Sequence, residues 1–173
     1  MQLDLVPVVG KKKVPKSLLS ELAEALGKKG FVVKLQKEVT IPASAFNKAR
    51  GQYDASAILP HVKPEGGLGI TAEDLYEGGL NFVFGLGETE GSAVVSIARL
   101  DPERYGEPGG QAKLIGRLTK EVVHEVGHTL GMKHCENKAG AKQCVMAFSE
   151  GVHEVDEKGA AFCKEHAKMI DLK

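Results

Sequence analysis

Between Glu121 and Met146 the chain reads EVVHEVGHTLGMKHCENKAGAKQCVM, and within that run His124, His128 and His134 fall at the spacing HExxHxxGxxH. Two histidines four apart on a helix share one face, one turn above the other. Both imidazoles can therefore reach a single zinc ion. Gly131 is placed to end that helix, because glycine enters the left-handed conformation that a sharp reversal needs. The reversal would carry His134 round as a third ligand. Three histidines leave one position of a tetrahedral zinc open to water, which separates a catalytic site from a closed structural one. Glu125, beside the first ligand, is where a carboxylate could take a proton from that water. The plain alternative is an amphipathic helix whose histidines lie at the surface, and the length of the pattern weighs against it.

The residues after the third histidine narrow the reading. The extension through Gly131 to His134, with a methionine downstream, is a metzincin signature. His134 is followed directly by Cys135, then by Cys144-Val145-Met146 and by Cys163-Lys164-Glu165-His166. This resembles the archaemetzincins, whose long motif joins the three-histidine site to a cysteine, a Cys-x-Met and a late Cys-x-x-Cys. The resemblance covers the C-terminal third strongly and the rest loosely. The chain departs from the pattern twice. Its loop between Cys135 and Cys144 is longer, and His166 stands where the last cysteine belongs. That substitution exchanges one good zinc ligand for another and leaves a Cys3His set.

The resemblance implies a metzincin-like α/β (α+β) fold. Its upper half would be a mixed twisted sheet with a backing helix and an active-site helix, about residues 1–131. A small lower half, about 132–173, would hold a methionine turn and a C-terminal helix. It further implies a zinc metallopeptidase, aminopeptidase-like, with two zinc ions per chain. The catalytic ion would sit on His124, His128 and His134, and the structural ion on Cys135, Cys144, Cys163 and His166. Met146 would lie in a tight turn beneath the catalytic metal as a hydrophobic floor, not as a ligand. An edge strand antiparallel to the rest would line the cleft and pair with an extended substrate. Asn81–Gly85 is the candidate for it.

At 173 residues and 42% hydrophobic content the chain makes one domain with a core of its own. Basic and acidic residues balance at 23 each, which gives no electrostatic case for nucleic acid or membrane partners. The start, MQLDLVPVVGKKKVPK, lacks the apolar run of a secretory signal, and nothing approaches membrane-spanning length. A cytoplasmic location is expected. The three cysteines all fall within the metal pattern, and clustering in a reducing compartment favours metal over disulfide.

Leu3–Val9 reads as a strand that Pro7 pushes toward an edge. Leu18, Leu19, Leu22 and Leu26 follow at helical spacing, and Phe31–Leu35 reads as a second strand, parallel to the first. Lys11-Lys12-Lys13 reads as a solvated loop, and His61 as structural or surface. Ala43–Tyr53 is expected to be helical and to continue to Leu59. Leu68–Thr71 reads as a buried strand followed by a capping box at Thr71–Asp74. Leu80–Leu86 and Ser92–Leu100 read as two strands joined by a hairpin loop. A helix is expected from Lys113 with Ile115, Leu118, Val122, Val126 and Leu130 as its apolar stripe. A last helix over Glu154–Leu172 would carry Cys163 and His166 three apart on one face.

The expected chemistry is peptide-bond hydrolysis by a zinc-bound water with Glu125 as general base. Two other readings stay open at this point. One is a zinc-stabilised peptide-binding module with weak or no hydrolysis, and the other is hydrolysis of a non-peptide amide.

Overall fold

The computed structural model describes residues 1–62, 66–136 and 144–170. Its main sheet is built from β1 (Gln2–Val9), β2 (Val32–Leu35), β3 (Val39–Thr40), β6 (Gly67–Thr71), β8 (Gly85–Gly87) and β9 (Ala93–Ser96). They run in the order β2-β1-β6-β9-β8, with β3 also paired to β1. All pair in parallel except β8, which lies antiparallel to β9 at the sheet's edge. A smaller sheet holds β4 (Phe46–Asn47), β5 (Gln52–Asp54) and β7 (Leu75–Tyr76).

Strand alternation sends side chains to two cores. Leu3, Leu5, Leu68, Ile70, Ala93 and Val95 meet α1 (Lys16–Gly27) and α3 (Gly110–Thr129) on one face. Val6, Val8 and Val94 meet Ile41, Tyr53, Ile58, Leu59, Val62 and Leu75 on the other. In α1 the leucines at 18, 19, 22 and 26 are the buried residues. In α3 Leu118, Val122 and Val126 are buried in the same core, which leaves another face of that helix for chemistry.

Pro7 does not push β1 to an edge; β1 is central, with β6 on one side and β2 and β3 on the other. Leu5 O accepts from Gln36 N and Val9 O from Ile41 N, so odd-numbered residues turn their polar groups toward β2 and β3. Pro7 is the odd residue between them, at the gap between Leu35 and Val39 where no partner strand runs. Its missing N–H therefore costs no ladder bond.

Ala43–Tyr53 is not a helix. Asn47 Oδ1 accepts from the N–H groups of Ala49 and Arg50, and this side-chain turn folds the segment into the β4–β5 hairpin. Helix resumes only at α2 (Ala55–Ile58), where Asp54 accepts from Ser56 N. Thr71 accepts from Glu73 N, but no helix follows, so this is a turn and not a capping box. Regular pairing in the 80–100 region is confined to β8 and β9. The last expected helix is two: α4 (Val152–Glu157) and α5 (Lys164–Ile170). Between them Ala161 bridges Cys144, and Val145 N donates to Ala161 O at 2.8 Å. Gly159, with little helix propensity, lies in that break.

Candidate active site

Helix α3 ends in a reversal that serves the site. Leu130 N and Met132 N donate to Gly127 O, and Gly131, at φ 81°, donates to His128 O. Only a residue at ease in the left-handed region makes this turn cheaply. The reversal turns Met132 O back onto His128 Nδ1 at 2.8 Å and brings His134 beside the two helix histidines.

The three imidazoles converge through their Nε2 atoms. His128 Nε2 lies 3.1 Å from His124 Nε2 and 3.2 Å from His134 Nε2. His124 Nδ1 lies 2.8 Å from Val145 O, as His128 Nδ1 does from Met132 O. A carbonyl only accepts, so each Nδ1 must carry the hydrogen. Nε2 of both rings is then a bare lone pair. Burial, helped by the Lys158 charge, holds the His124 pKa down to about 2, and burial lowers His128 as well, so neither ring is protonated near neutrality. Two lone pairs at 3.1 Å repel unless a cation lies between them. Tetrahedral zinc with Zn–N near 2.05 Å places its nitrogens about 3.3 Å apart, close to what is observed. The donor set fits zinc.

Glu125 lies on the same helix, 5% exposed. Burial, then the neighbouring Glu121, pushes its pKa well above the usual carboxylate range, against the Lys158 charge and a hydrogen bond from the Gly87 main chain. β8 packs on this part of α3 without side chains in the way. A Cβ on Gly85 would stand 2.7 Å from Glu125 Cγ, and one on Gly87 would stand 3.1 Å from His128 Cβ.

Met146 is fully buried in a tight turn closed by Ala147 N donating to Cys144 O at 3.0 Å. The same turn presents Val145 O to His124. Behind it stands Lys158, 3% exposed, whose Nζ is 2.7 Å from Glu121 Oε1, 3.4 Å from Ala147 O and 3.5 Å from His124 Nδ1. Burial raises the pKa of Glu121, and the Lys158 charge opposes the rise.

Cys135, Cys144, Cys163 and His166 form a second group whose ligand atoms all lie within 4.8 Å of one another. Cys163 directly precedes α5 and His166 sits in its first turn, so the two do not share one helix face as expected; Cys163 Sγ is still 3.2 Å from His166 Nδ1. His166 Nε2 lies 3.1 Å from Lys133 O and so carries the hydrogen, which leaves Nδ1 bare toward the sulfurs. Burial raises Cys144 to about 11. Burial acts the same way on Cys163, but hydrogen bonds from His166 outweigh it and bring that thiol down to about 6. Thiolate and imidazole donors of this kind suit a closed zinc site.

A cleft of about 730 Å³ opens over the three histidines and is lined also by Phe82, Phe84, the β8 residues, Phe148, Ser149 and Lys158. All five residues of the expected Asn81–Gly85 segment line this cleft, but the edge strand there is β8, of which only Gly85 belongs to that segment. Lys158, Glu121 and Phe148 were not singled out from the sequence. Lys158 lies 34 residues from His124 and carries no motif; only the pattern Gly85-Leu86-Gly87 offered a sign of close backbone approach. His61 and the Lys11–Lys13 run lie outside the cleft.

A mixed sheet with an antiparallel edge, a helix carrying two of three convergent imidazoles and a methionine turn beyond it define a zinc metallopeptidase of the metzincin type. Residues 5–172 match the model of peptidase family M54. The archaemetzincin of Methanopyrus kandleri is 39% identical over 98% of this chain and 95% of its own. That of Methanocaldococcus jannaschii is 39% identical over 88% and 85%. Among solved structures, the archaemetzincin of Archaeoglobus fulgidus superposes with a TM-score of 0.82 at 35% identity, covering 98% of this chain and 99% of that one. A zinc-dependent peptidase from Methanocorpusculum labreanum gives 0.76 at 29% identity, covering 97% and 99%. The chain belongs to peptidase family M54, the archaemetzincins.

Proposed function

We propose that the protein hydrolyses peptide bonds at the three-histidine site, with Glu125 as general base. His124, His128 and His134 would hold the catalytic zinc, and Met146 would form its apolar floor. A second zinc would sit on Cys135, Cys144, Cys163 and His166 and tie the lower part, about residues 132–173, to the upper part, about 1–131, of a single domain. Zinc, when bound, supplies the Lewis acidity that activates water and polarises a carbonyl. Glu125 takes the proton of the attacking water as the new C–O bond forms, then delivers it to the leaving nitrogen as the C–N bond breaks. The carbonyls of Val145 and Met132 fix the tautomers of His124 and His128.

One observation carries this reading: two Nε2 lone pairs held 3.1 Å apart by rings whose other nitrogens are committed to carbonyls. The substrate would be a peptide or protein, with no nucleic acid or membrane partner. A cytoplasmic location accords with three unbridged cysteines. Among the described residues no helix is long and apolar enough to cross a membrane.

The test is a mixed peptide library incubated with zinc-loaded and with chelated protein, the new termini being read by mass spectrometry. Zinc-dependent cleavage is expected. No cleavage by protein carrying both zincs contradicts peptide hydrolysis.

A further inference from the structure

Part of the cleft lining is built without regular structure. Residues 77–84 run from β7 to β8 as no regular strand, with Val83 N donating to Leu75 O at 3.0 Å, yet Leu80 to Phe84 all line the cleft. Such a stretch keeps one shape only where groups outside it satisfy its backbone. Here the small sheet does so. Arg50, shortly before β5, donates to the carbonyls of Leu80 and Asn81, the second at 3.0 Å. Gln52 in β5 is 6% exposed. Its Oε1 accepts from Arg50 Nε at 3.0 Å, and its Nε2 donates to Asn81 O at 3.0 Å and to Asp74 Oδ2 at 3.2 Å.

Asp74 carries this chain of contacts on to an aromatic ring. Its carboxylate accepts from Arg99 Nε at 2.7 Å and from Nη2 at 2.8 Å, the paired geometry that fixes a planar guanidinium in orientation. The guanidinium so held lies 4.2 Å over the ring of Phe82. Phe84 meets the same ring edge to face, with 5.2 Å between centroids. Phe82 is half-buried and lines the cleft, whereas Gln52, Asp74 and Arg99 do not. The Asp74–Arg99 pair joins the residue before β7 to the segment after β9 and would do so wherever its guanidinium ended. It ends on the cleft lining.

We propose that Phe82 is a specificity-determining residue that receives an apolar side chain of the substrate, and that Asp74 and Arg99 are positioning residues that hold its ring. A ring fixed in this way has little rotamer freedom left to lose when a substrate arrives, so its ordering weighs on folding and not on binding. Leu80 and Phe148, 50% and 56% exposed, extend the apolar lining. The inference rests on the peptidase reading above, and its test therefore reads binding apart from turnover.

Zinc-loaded Glu125→Gln protein is mixed with a peptide library of varied sequence, and the retained peptides are identified by mass spectrometry. Enrichment of apolar residues at one position is expected. Adding Phe82→Ala or Arg99→Met is expected to cut that enrichment about fivefold to tenfold with zinc content unchanged. Arg99→Lys, which keeps the charge but not the fork, should fall between. In the cleaving enzyme, Arg99→Met should raise KM about tenfold for a peptide with Leu at that position and leave kcat within about twofold. KM for the same peptide with Ala there should barely move. An arginine that only stabilises the fold would weaken both peptides alike, and that result would overturn the inference. So would an enrichment that survives both Phe82→Ala and Arg99→Met. If Arg99→Met does not fold, Asp74→Asn carries the same comparison between the two peptides. Zinc-dependent cleavage indifferent to Phe82 would uphold the peptidase and overturn the inference. Enrichment that depends on Phe82, without cleavage by the wild type, would uphold the inference and contradict the hydrolysis.

Discussion

Gly127 lies directly against the thioether of Met146. A Cβ built on that glycine would overlap the sulfur and stand 3.0 Å from Met146 Cε and 3.1 Å from Phe162 Cε1. The glycine within HExxH therefore lets the methionine turn approach the helix between the two histidines. Gly127→Ala overpacks this contact and is expected to destabilise the fold by about 1–3 kcal/mol. Denaturant unfolding at fixed zinc checks it, and unchanged stability would show that the turn yields freely.

Gly87→Val would push β8 away from Glu125 and His128, against which it now rests. With both metals still bound, peptide turnover is expected to fall about a hundredfold, while Leu86→Val on the same strand is expected to be mild. Equal effects of the two would mean that the close approach of β8 does not matter.

Much of this site was legible because its chemistry is written in local geometry. His124, His128 and Gly131 depend on helical spacing and on one left-handed residue, and neither needs knowledge of the rest of the chain. The βαβ start was readable for the same reason, from leucines at helical spacing between two apolar runs. Failures came where distant context decides. Nothing local shows that Pro7 would meet a gap between two partner strands, or that Asn47 would fold back on Arg50. The break over 158–163, which leaves Cys163 outside the helix that carries His166, holds the pairing of Ala161 with the distant Cys144. Lys158 was invisible because a buried lysine is recognised only by its partner Glu121, 37 residues away.

Among the described residues Arg117 is the largest fully buried side chain; it holds Asp156 through two hydrogen bonds of 2.8 and 2.7 Å, and it also meets Glu107. The hydrogen bond from Arg117 keeps the Asp156 carboxyl below its ordinary value of 3.8. A depressed carboxylate stabilises the fold above its unfolded pKa and loses that contribution as pH falls through the folded one. Wild type should therefore exceed Asp156→Asn in stability from neutrality down to about pH 4, and the gap should close below that. A gap that is constant down to the acid limit would assign the effect to packing and not to charge.

Cys163→Ser should bind one zinc where wild type binds two, and keep the three-histidine ion. His166→Cys, which restores four sulfurs, should bind two. Metal analysis after dialysis reads both directly. Two zincs in Cys163→Ser, or one in His166→Cys, would contradict the Cys3His assignment.

The central claim is that Glu125 moves the proton at a zinc held by His124, His128 and His134. Single-turnover hydrolysis of a cleaved peptide by wild type and Glu125→Gln, with both zincs verified in each protein, tests it most directly. The predicted result is a loss of about a hundredfold to ten-thousandfold with metal content unchanged. Equal rates in the two proteins would contradict the account.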